Sequence, residues 1–166
     1  MDAVAIAIMG SGGTGAITAG SLLLEAAGRA GWQGLMTRSV GPQIRGGEAL
    51  AMIRLANGPV AGHGDCFDLL LALDWENAER FADETPLAAD SLIIADPAAG
   101  EPPAALCASG ARLLALPLAR LAGGIPGGRA NIVALGALAR LLALPLAPLE
   151  IAVIRVLVRR GVDADH

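Results

Sequence analysis

One short segment constrains the fold more than any other: an apolar run that stops at a cluster of glycines and gives way to helical spacing. The run, residues 4–9, is typical of a strand buried on both faces of a sheet. It leads into a glycine loop, residues 10–15, and from Thr14 onward apolar residues recur at helical spacing until Gly28. The sequence therefore predicts a strand, a loop and a helix in that order.

The glycine loop has the spacing G-x-G-x-x-G at the point where a strand ends and a helix begins. A helix start presents unpaired N–H groups and partial positive charge, and glycines let a phosphate come close to the backbone. The alternative is a tight strand-to-helix turn without a ligand. We predict a site for a phosphate-bearing cofactor that is formed by Gly10, Ser11, Gly12, Gly13, Thr14 and Gly15.

The end of the second predicted strand bears on the identity of this cofactor. A dinucleotide site normally has an acidic residue there, about 20 residues after the loop, to bind ribose hydroxyls. Here the corresponding stretch, residues 36–39, contains Arg38 and no acid. This argues against NAD and favours a cofactor with a phosphorylated ribose, such as coenzyme A or NADP, with Arg38 as a phosphate ligand. A solvated strand end is the alternative for Arg38.

A second loop, residues 41–48, is too rich in glycine to form a helix or a strand. In it the planar guanidinium of Arg45 can hold a phosphate or a carboxylate through two hydrogen bonds. The alternative is a loop that a neighbouring subunit orders. The members of this loop that we assign to the cofactor site are Gln43, Arg45, Gly46 and Gly47.

The rest of the chain alternates apolar strands with helical segments. Further strands are predicted at residues 35–40, 49–55, 69–72, 91–95 and 112–116, and further helices at residues 75–82, 131–142 and 149–159. This alternation predicts a single domain over residues 1–166, with a three-layer α/β/α Rossmann-like fold and a mostly parallel sheet of five to six strands.

Composition excludes several classes of function. Hydrophobic residues make up 54% of the chain, yet no apolar run spans a membrane without interruption and no signal peptide is recognised. We therefore expect a cytoplasmic protein whose apolar surface another polypeptide covers. A net charge of −4 with scattered arginines argues against nucleic acid. The isolated Cys66 and Cys107 predict no metal site in this chain.

No residue of the sequence is assigned a catalytic role. The chain has neither tyrosine nor lysine, which removes two common proton donors. His63 lies between glycines in a predicted turn and is interpreted as a surface residue. Asp74 is interpreted as the cap of the next helix, and Asn131 as a residue of a helix start or as one that bridges loops.

Four motifs in order carry a family resemblance: Gly10-Ser11-Gly12-Gly13-Thr14-Gly15, Gly41-Pro42-Gln43-Ile44-Arg45-Gly46-Gly47-Glu48, Asp68-Leu69-Leu70-Leu71-Ala72-Leu73-Asp74, and Arg129-Ala130-Asn131-Ile132-Val133-Ala134-Leu135-Gly136. Together they resemble the gamma subunit, or gamma domain, of the thiamine-dependent 2-oxoacid:acceptor (ferredoxin) oxidoreductases over about residues 3–155. Four motifs in the right order are far more specific than the glycine loop alone.

The resemblance implies oxidative decarboxylation of a 2-oxoacid to an acyl-CoA, and electron transfer through iron–sulfur clusters to ferredoxin. Residues 36–39 and 73–77 look most like forms in which the gamma domain is fused ahead of an alpha domain, often acting on 2-oxoglutarate. The resemblance also implies that this chain binds coenzyme A within a hetero-oligomer. Thiamine diphosphate, magnesium and the clusters would belong to the alpha and beta partner subunits. Gamma domains usually continue beyond the last helix with a further asparagine-containing segment, so a fragment of a gamma–alpha fusion and a separately encoded short form both stay open.

Two other functions remain open on the residues alone. One is a ligand-free assembly subunit of such a complex, which shares the apolar surface but leaves the glycine loop empty. The other is a separate NADP-binding oxidoreductase of Rossmann type, which the lack of an evident proton donor disfavours.

Overall fold

The computed structural model describes residues 3–41, 47–62 and 64–159, which form a six-stranded sheet with helices on both faces. The strands are β1 (Ala3–Gly10), β2 (Gln33–Val40), β3 (Ala49–Ala56), β4 (Phe67–Ala72), β5 (Leu87–Ala95) and β6 (Arg112–Ala115). The helices are α1 (Ala16–Arg29), α2 (Ala104–Cys107), α3 (Leu118–Gly123), α4 (Ala130–Leu141) and α5 (Leu146–Arg159), with 3₁₀ turns at Ala78–Phe81 and Pro97–Ala99.

The strands lie in the order β2-β3-β1-β4-β5-β6. Strands β1, β4, β5 and β6 pair in parallel, whereas β3 runs antiparallel to both of its neighbours, β1 and β2. All strands except β3 therefore point the same way. The predicted α/β/α fold with a mostly parallel sheet is confirmed.

The burial of β1 explains why its sequence is a continuous apolar run. Alternate side chains point to opposite faces of a sheet, and here both faces are covered. Val4, Ile6 and Ile8 pack into the hydrophobic core below α1, α4 and α5, while Ala5, Ala7 and Met9 pack into the smaller core on the other face. A strand at this central position has no solvated side, so polar residues are absent from it.

The position of β3 differs from the simplest Rossmann order. There the second strand adjoins the first, and its end borders the cofactor. Here Met9 pairs with Leu50 of β3, and Leu50 pairs in turn with Ser39 of β2. Strand β3 therefore separates β2 from β1, and β2 becomes an edge strand.

The helices depart from the sequence prediction in three places. The helix expected at residues 75–82 is only the 3₁₀ turn Ala78–Phe81, because Asn77 before it adopts a left-handed conformation with φ 55°. Helices α2 and α3 are short and were not predicted. Helix α5 begins at Leu146, so Pro148 lies in its first turn, where a proline does not disrupt the helix.

None of the helices in the described ranges is long and apolar enough to cross a membrane. Over the same ranges, no three side chains of histidine, cysteine, aspartate or glutamate come together where they would hold a metal ion.

Candidate functional site

The glycine loop joins β1 to α1 through two residues with positive φ. Gly13 has φ 101° and Gly15 has φ 87°, values that side-chain-bearing residues rarely adopt. Gly15 is also the N-cap of α1, and no side chain caps this helix start. The sequence thus places at the head of the helix a residue that leaves its first amides uncovered.

Most amides at this helix start have no partner within the part of the chain that the structure describes. The first hydrogen bond of α1 runs from the amide of Ala19 to the carbonyl of Gly15, at 2.8 Å. The amide of Thr14 is taken by the carbonyl of Ser11, at 3.2 Å. The amides that remain without an acceptor among the described residues are those of Gly12, Gly13, Gly15, Ala16, Ile17 and Thr18.

Ser11, the first residue after β1, is hydrogen-bonded to a carboxylate. Asp74, two residues beyond β4, accepts hydrogen bonds from the Ser11 amide at 3.0 and 3.1 Å and from the Ser11 hydroxyl at 2.7 Å. It also accepts the amide of Glu76 at 3.1 Å. The predicted role of Asp74 as the cap of the next helix is wrong, because the element that follows is a 3₁₀ turn with Asn77 as its N-cap. Most of the hydrogen bonds of Asp74 go to the glycine loop.

A cavity of about 670 Å³ opens in front of the start of α1, within the range of small-molecule sites. Its walls come from the glycine loop, from α1, from the start of α4 and from α5. The lining residues are Ser11, Gly13, Thr14, Gly15, Ala16, Ile17, Thr18, Leu22, Ala49, Arg129, Ala130, Asn131, Ile132, Val153 and Val156.

The start of α4 faces the same cavity as the start of α1. Asn131 is 6% exposed, and its Nδ2 donates to the carbonyl of Gly15 at 3.4 Å. No side chain caps α4, and the amides of Ala130 and Asn131 have no acceptor among the described residues. Two helix N-termini, each with partial positive charge, therefore meet at one opening.

Arg129 adds a full positive charge to this opening. It is the N-cap of α4, and its exposed side chain forms no ion pair or hydrogen bond with any other described residue. Among the described lining residues of the cavity it is the one charged side chain. The site is therefore electropositive and suited to an anion.

The predicted site residues fall into three groups. Ser11, Gly13, Thr14 and Gly15 line the cavity, whereas Gly10 is buried at the end of β1 and Gly12 is exposed outside the lining. Arg38 is exposed on the edge strand β2 and does not line the cavity. Gln43, Arg45 and Gly46 lie outside the described residues, as does His63.

The described ends of the second loop lie beside the cavity. The amide of Gly41 donates to the carbonyl of Glu48 at 2.9 Å, which closes the base of the loop. Gly47 is half-buried, and Ala49, two residues later, is one of the lining residues. The ligand role predicted for Gln43, Arg45, Gly46 and Gly47 stays a prediction.

Two members of the site, Arg129 and Asn131, were not assigned to it from the sequence. They belong to the motif at residues 129–136, which served only as part of the family resemblance. Asn131 and Gly15 lie 116 residues apart in the chain, so no local spacing connects them. The sequence feature that could have indicated them is Arg129, which stands directly before the helix start in place of a capping residue.

On the other face of the sheet lies a buried ion pair. Glu48, with its side chain 2% exposed, pairs through Oε1 with Nη1 of Arg80 at 2.5 Å, and the Arg80 side chain is 52% exposed. Among the described residues, the second oxygen of Glu48, Oε2, has no hydrogen-bond partner, and neither does the buried Nε1 of Trp75. The pair links the residue before β3 to the 3₁₀ turn Ala78–Phe81.

Comparison with known proteins gives one family and several related structures. The family model for pyruvate ferredoxin/flavodoxin oxidoreductase matches residues 5–164. A gamma subunit of a keto/oxoacid ferredoxin oxidoreductase from Geobacter sulfurreducens is 28% identical, with a TM-score of 0.72, over 93% of this chain and 85% of that chain. No curated protein matches the sequence.

Two further solved structures share the fold at lower identity. A 2-oxoglutarate:ferredoxin oxidoreductase from Magnetococcus marinus, solved with 2-oxoglutarate, coenzyme A and succinyl-CoA bound, aligns with a TM-score of 0.81 and 24% identity. The alignment covers 97% of this chain, which spans only 28% of that chain. The PORC subunit of pyruvate oxidoreductase from Thermotoga maritima aligns over 94% of this chain and 86% of its own, with a TM-score of 0.71 and 22% identity.

Proposed function

Because this chain belongs to the pyruvate ferredoxin/flavodoxin oxidoreductase family, whose model matches residues 5–164, we propose that it binds coenzyme A at the meeting point of α1 and α4. The resemblance found in the four sequence motifs is confirmed by that match and by the likeness to a gamma subunit. The chain is thus a gamma-type component of an oxidoreductase.

The observation that carries the proposal is the convergence of two uncapped helix starts and Arg129 on one cavity. Coenzyme A carries a pyrophosphate and a 3′-phosphate. Backbone amides at helix starts bind phosphate oxygens, and an unpaired arginine adds charge-assisted hydrogen bonds. Further support comes from the Magnetococcus enzyme, which was solved with coenzyme A bound.

The proposed role of this chain is binding and orientation. The described lining of the cavity holds no histidine, cysteine or carboxylate. No described group at this opening is therefore suited to exchange a proton with a substrate. The chain holds the acyl acceptor, and the reactive groups are supplied elsewhere in the complex.

The complex that we propose converts a 2-oxoacid, by oxidative decarboxylation, to an acyl-CoA in the cytoplasm. The favoured substrate is 2-oxoglutarate, in line with the ligands of the Magnetococcus structure. Thiamine diphosphate, magnesium and iron–sulfur clusters are assigned to alpha and beta partner subunits, and ferredoxin is the electron acceptor.

Exposed apolar surface supports the assembly part of the proposal. Among the described strands β6 pairs only with β5, and all four of its residues are exposed, including Leu113 at 47% and Leu114 at 39%. Leu146, at the start of α5, is 55% exposed. Apolar edge strands are normally covered, and partner subunits are the proposed cover. A ligand-free assembly subunit would show the same surface.

Titration calorimetry of the 166-residue chain separates these functions. Coenzyme A, NADH and NADPH are titrated in parallel, and we expect binding of coenzyme A alone. Arg129→Gln removes a charge-assisted contact and should weaken binding by roughly tenfold or more. Arg120→Gln is the matched control, because Arg120 is exposed on α3 and does not line the cavity.

Each other outcome contradicts part of the proposal. If none of the three ligands binds, the assembly role alone survives. If NADPH binds and coenzyme A does not, the chain is a dinucleotide-binding protein. If Arg129→Gln and Arg120→Gln bind coenzyme A equally well, the ligand lies elsewhere on the chain.

A further inference from the structure

We propose that Asp74 is a positioning residue of the coenzyme A site: it fixes the glycine loop so that the amides after Ser11 face the cavity. This inference rests on the proposed function. Asp74 itself does not line the cavity, so its effect on the ligand passes through Ser11, which does.

The hydrogen bonds of Asp74 carry the inference. Oδ1 accepts from the amides of Ser11 at 3.0 Å and Glu76 at 3.1 Å, and Oδ2 accepts from the Ser11 hydroxyl at 2.7 Å. One residue earlier, the amide of Leu73 donates to the carbonyl of Met9 at 2.9 Å. These hydrogen bonds therefore connect the segment after β4 to the end of β1 and to Ser11.

Two other roles for this carboxylate do not fit. Asp74 does not line the cavity, and its carboxylate faces the donors of Ser11 and Glu76, so it is not placed within reach of a proton on a ligand. A pure helix-capping role is also insufficient, because the element that follows is only the 3₁₀ turn Ala78–Phe81, with Asn77 as its N-cap. Of the hydrogen bonds that Asp74 accepts, only the one from the Glu76 amide involves the segment that leads into this turn.

The charge of Asp74 is unfavourable for the proposed ligand. A carboxylate close to a phosphate site repels the anion, so its benefit must come from the geometry that it imposes. Asparagine separates charge from geometry. Its Oδ1 can still accept from the amides of Ser11 and Glu76, and its Nδ2 can donate to the Ser11 hydroxyl oxygen. Glutamate does the opposite, because it keeps the charge but is one methylene longer.

Asp68 provides a matched control on the same strand. It lies near the opposite end of β4, is exposed, and accepts the amide of Ala5 at 2.6 Å. It is therefore also a carboxylate that holds the backbone of β1, but at the end of the strand remote from the glycine loop. Asp68→Ala removes the same kind of bond without altering the cavity.

The experiment measures coenzyme A affinity by calorimetry for the full chain with Asp74→Asn, Asp74→Glu, Asp74→Ala or Asp68→Ala. Thermal unfolding reports whether each variant is folded. We expect Asp74→Asn and Asp68→Ala to bind within about threefold of the unsubstituted chain, and Asp74→Glu and Asp74→Ala to bind about tenfold more weakly. If Asp74→Ala does not fold, the comparison of Asp74→Asn with Asp74→Glu decides.

Two results overturn the inference alone: unchanged affinity in both Asp74→Glu and Asp74→Ala, or a loss in Asp74→Asn with the affinity of Asp74→Glu unchanged. The second result would mean that charge, and not loop geometry, matters at this position. Failure of the unsubstituted chain to bind coenzyme A overturns the proposed function, and this inference falls with it.

Discussion

Replacing Gly15 with alanine tests the contact between the two helix starts. Gly15 has φ 87°, a conformation that favours glycine, and a Cβ at this position would contact Nδ2 of Asn131 and lie 3.1 Å from its Cγ. Asn131 is only 6% exposed and its Nδ2 donates to the carbonyl of Gly15, so a methyl group at Gly15 must displace this side chain from its hydrogen-bonded position. Gly13→Ala is the matched control, because Gly13 has φ 101° but a Cβ there meets nothing within 4 Å.

The two substitutions differ by one energetic contribution. Placing alanine in a left-handed conformation costs about 1–2 kcal/mol in either variant. Forcing a methyl group against a buried side chain adds about 1–3 kcal/mol, and this applies to Gly15→Ala only. We therefore expect Gly15→Ala to lower the free energy of unfolding by roughly 2–5 kcal/mol, and Gly13→Ala by about 1–2 kcal/mol.

Urea denaturation followed by circular dichroism measures both values by linear extrapolation. The informative quantity is the difference between the two glycine variants, because the shared backbone contribution largely cancels. If Gly15→Ala is no less stable than Gly13→Ala, the packing of Asn131 on Gly15 is wrong. The geometry of the site at the start of α4 would then be wrong as well.

Two further predictions concern ion pairs away from the cavity. A hydrogen bond from Arg29, together with the charges of Arg155 and Arg29, holds the pKa of Glu25 below its ordinary value of 4.5. The stabilisation of the folded chain by the Glu25 ion pairs is therefore present above that value and is lost as the pH falls through the lowered pKa. Glu25→Gln should lower stability by less than about 1 kcal/mol at pH 7, since the pairs are partly exposed. Thermal unfolding over a series of decreasing pH values should show the difference between the two proteins shrink in acid, and a difference independent of pH would contradict this prediction. Arg80→Ala should destabilise the chain by roughly 1–3 kcal/mol, because it leaves the buried Glu48 unpaired. Adding Glu48→Gln should recover most of that loss in urea denaturation, and no recovery would show that the pair is not the cause.

Local patterns in the sequence predict much of this fold. The burial of β1 on both faces follows from its uninterrupted apolar run, and the loop before α1 follows from its glycines. Relations between distant segments do not follow from such patterns. Strand β3 separates β2 from β1, which leaves Arg38 on an edge strand outside the cavity lining. Spacing along the chain carries no information on that pairing.

In the candidate site, too, the residues that are contiguous in sequence were predictable and those from distant segments were not. The glycine loop is contiguous, so its part in the cavity was predictable from residues 10–15. Arg129 and Asn131 reach the loop only through the packing of α4 on the start of α1. The helix predicted over residues 75–82 is interrupted because Asn77 adopts a left-handed conformation, which local apolar spacing does not reveal.

The most direct test of the central claim is a titration of the ¹⁵N-labelled chain with coenzyme A, followed through its backbone amide resonances. We expect the largest shifts at Gly13, Gly15, Ala130 and Asn131, because these residues line the cavity and their amides have no acceptor among the described residues. Shifts confined to other parts of the chain, with these four amides unchanged at saturation, would contradict it.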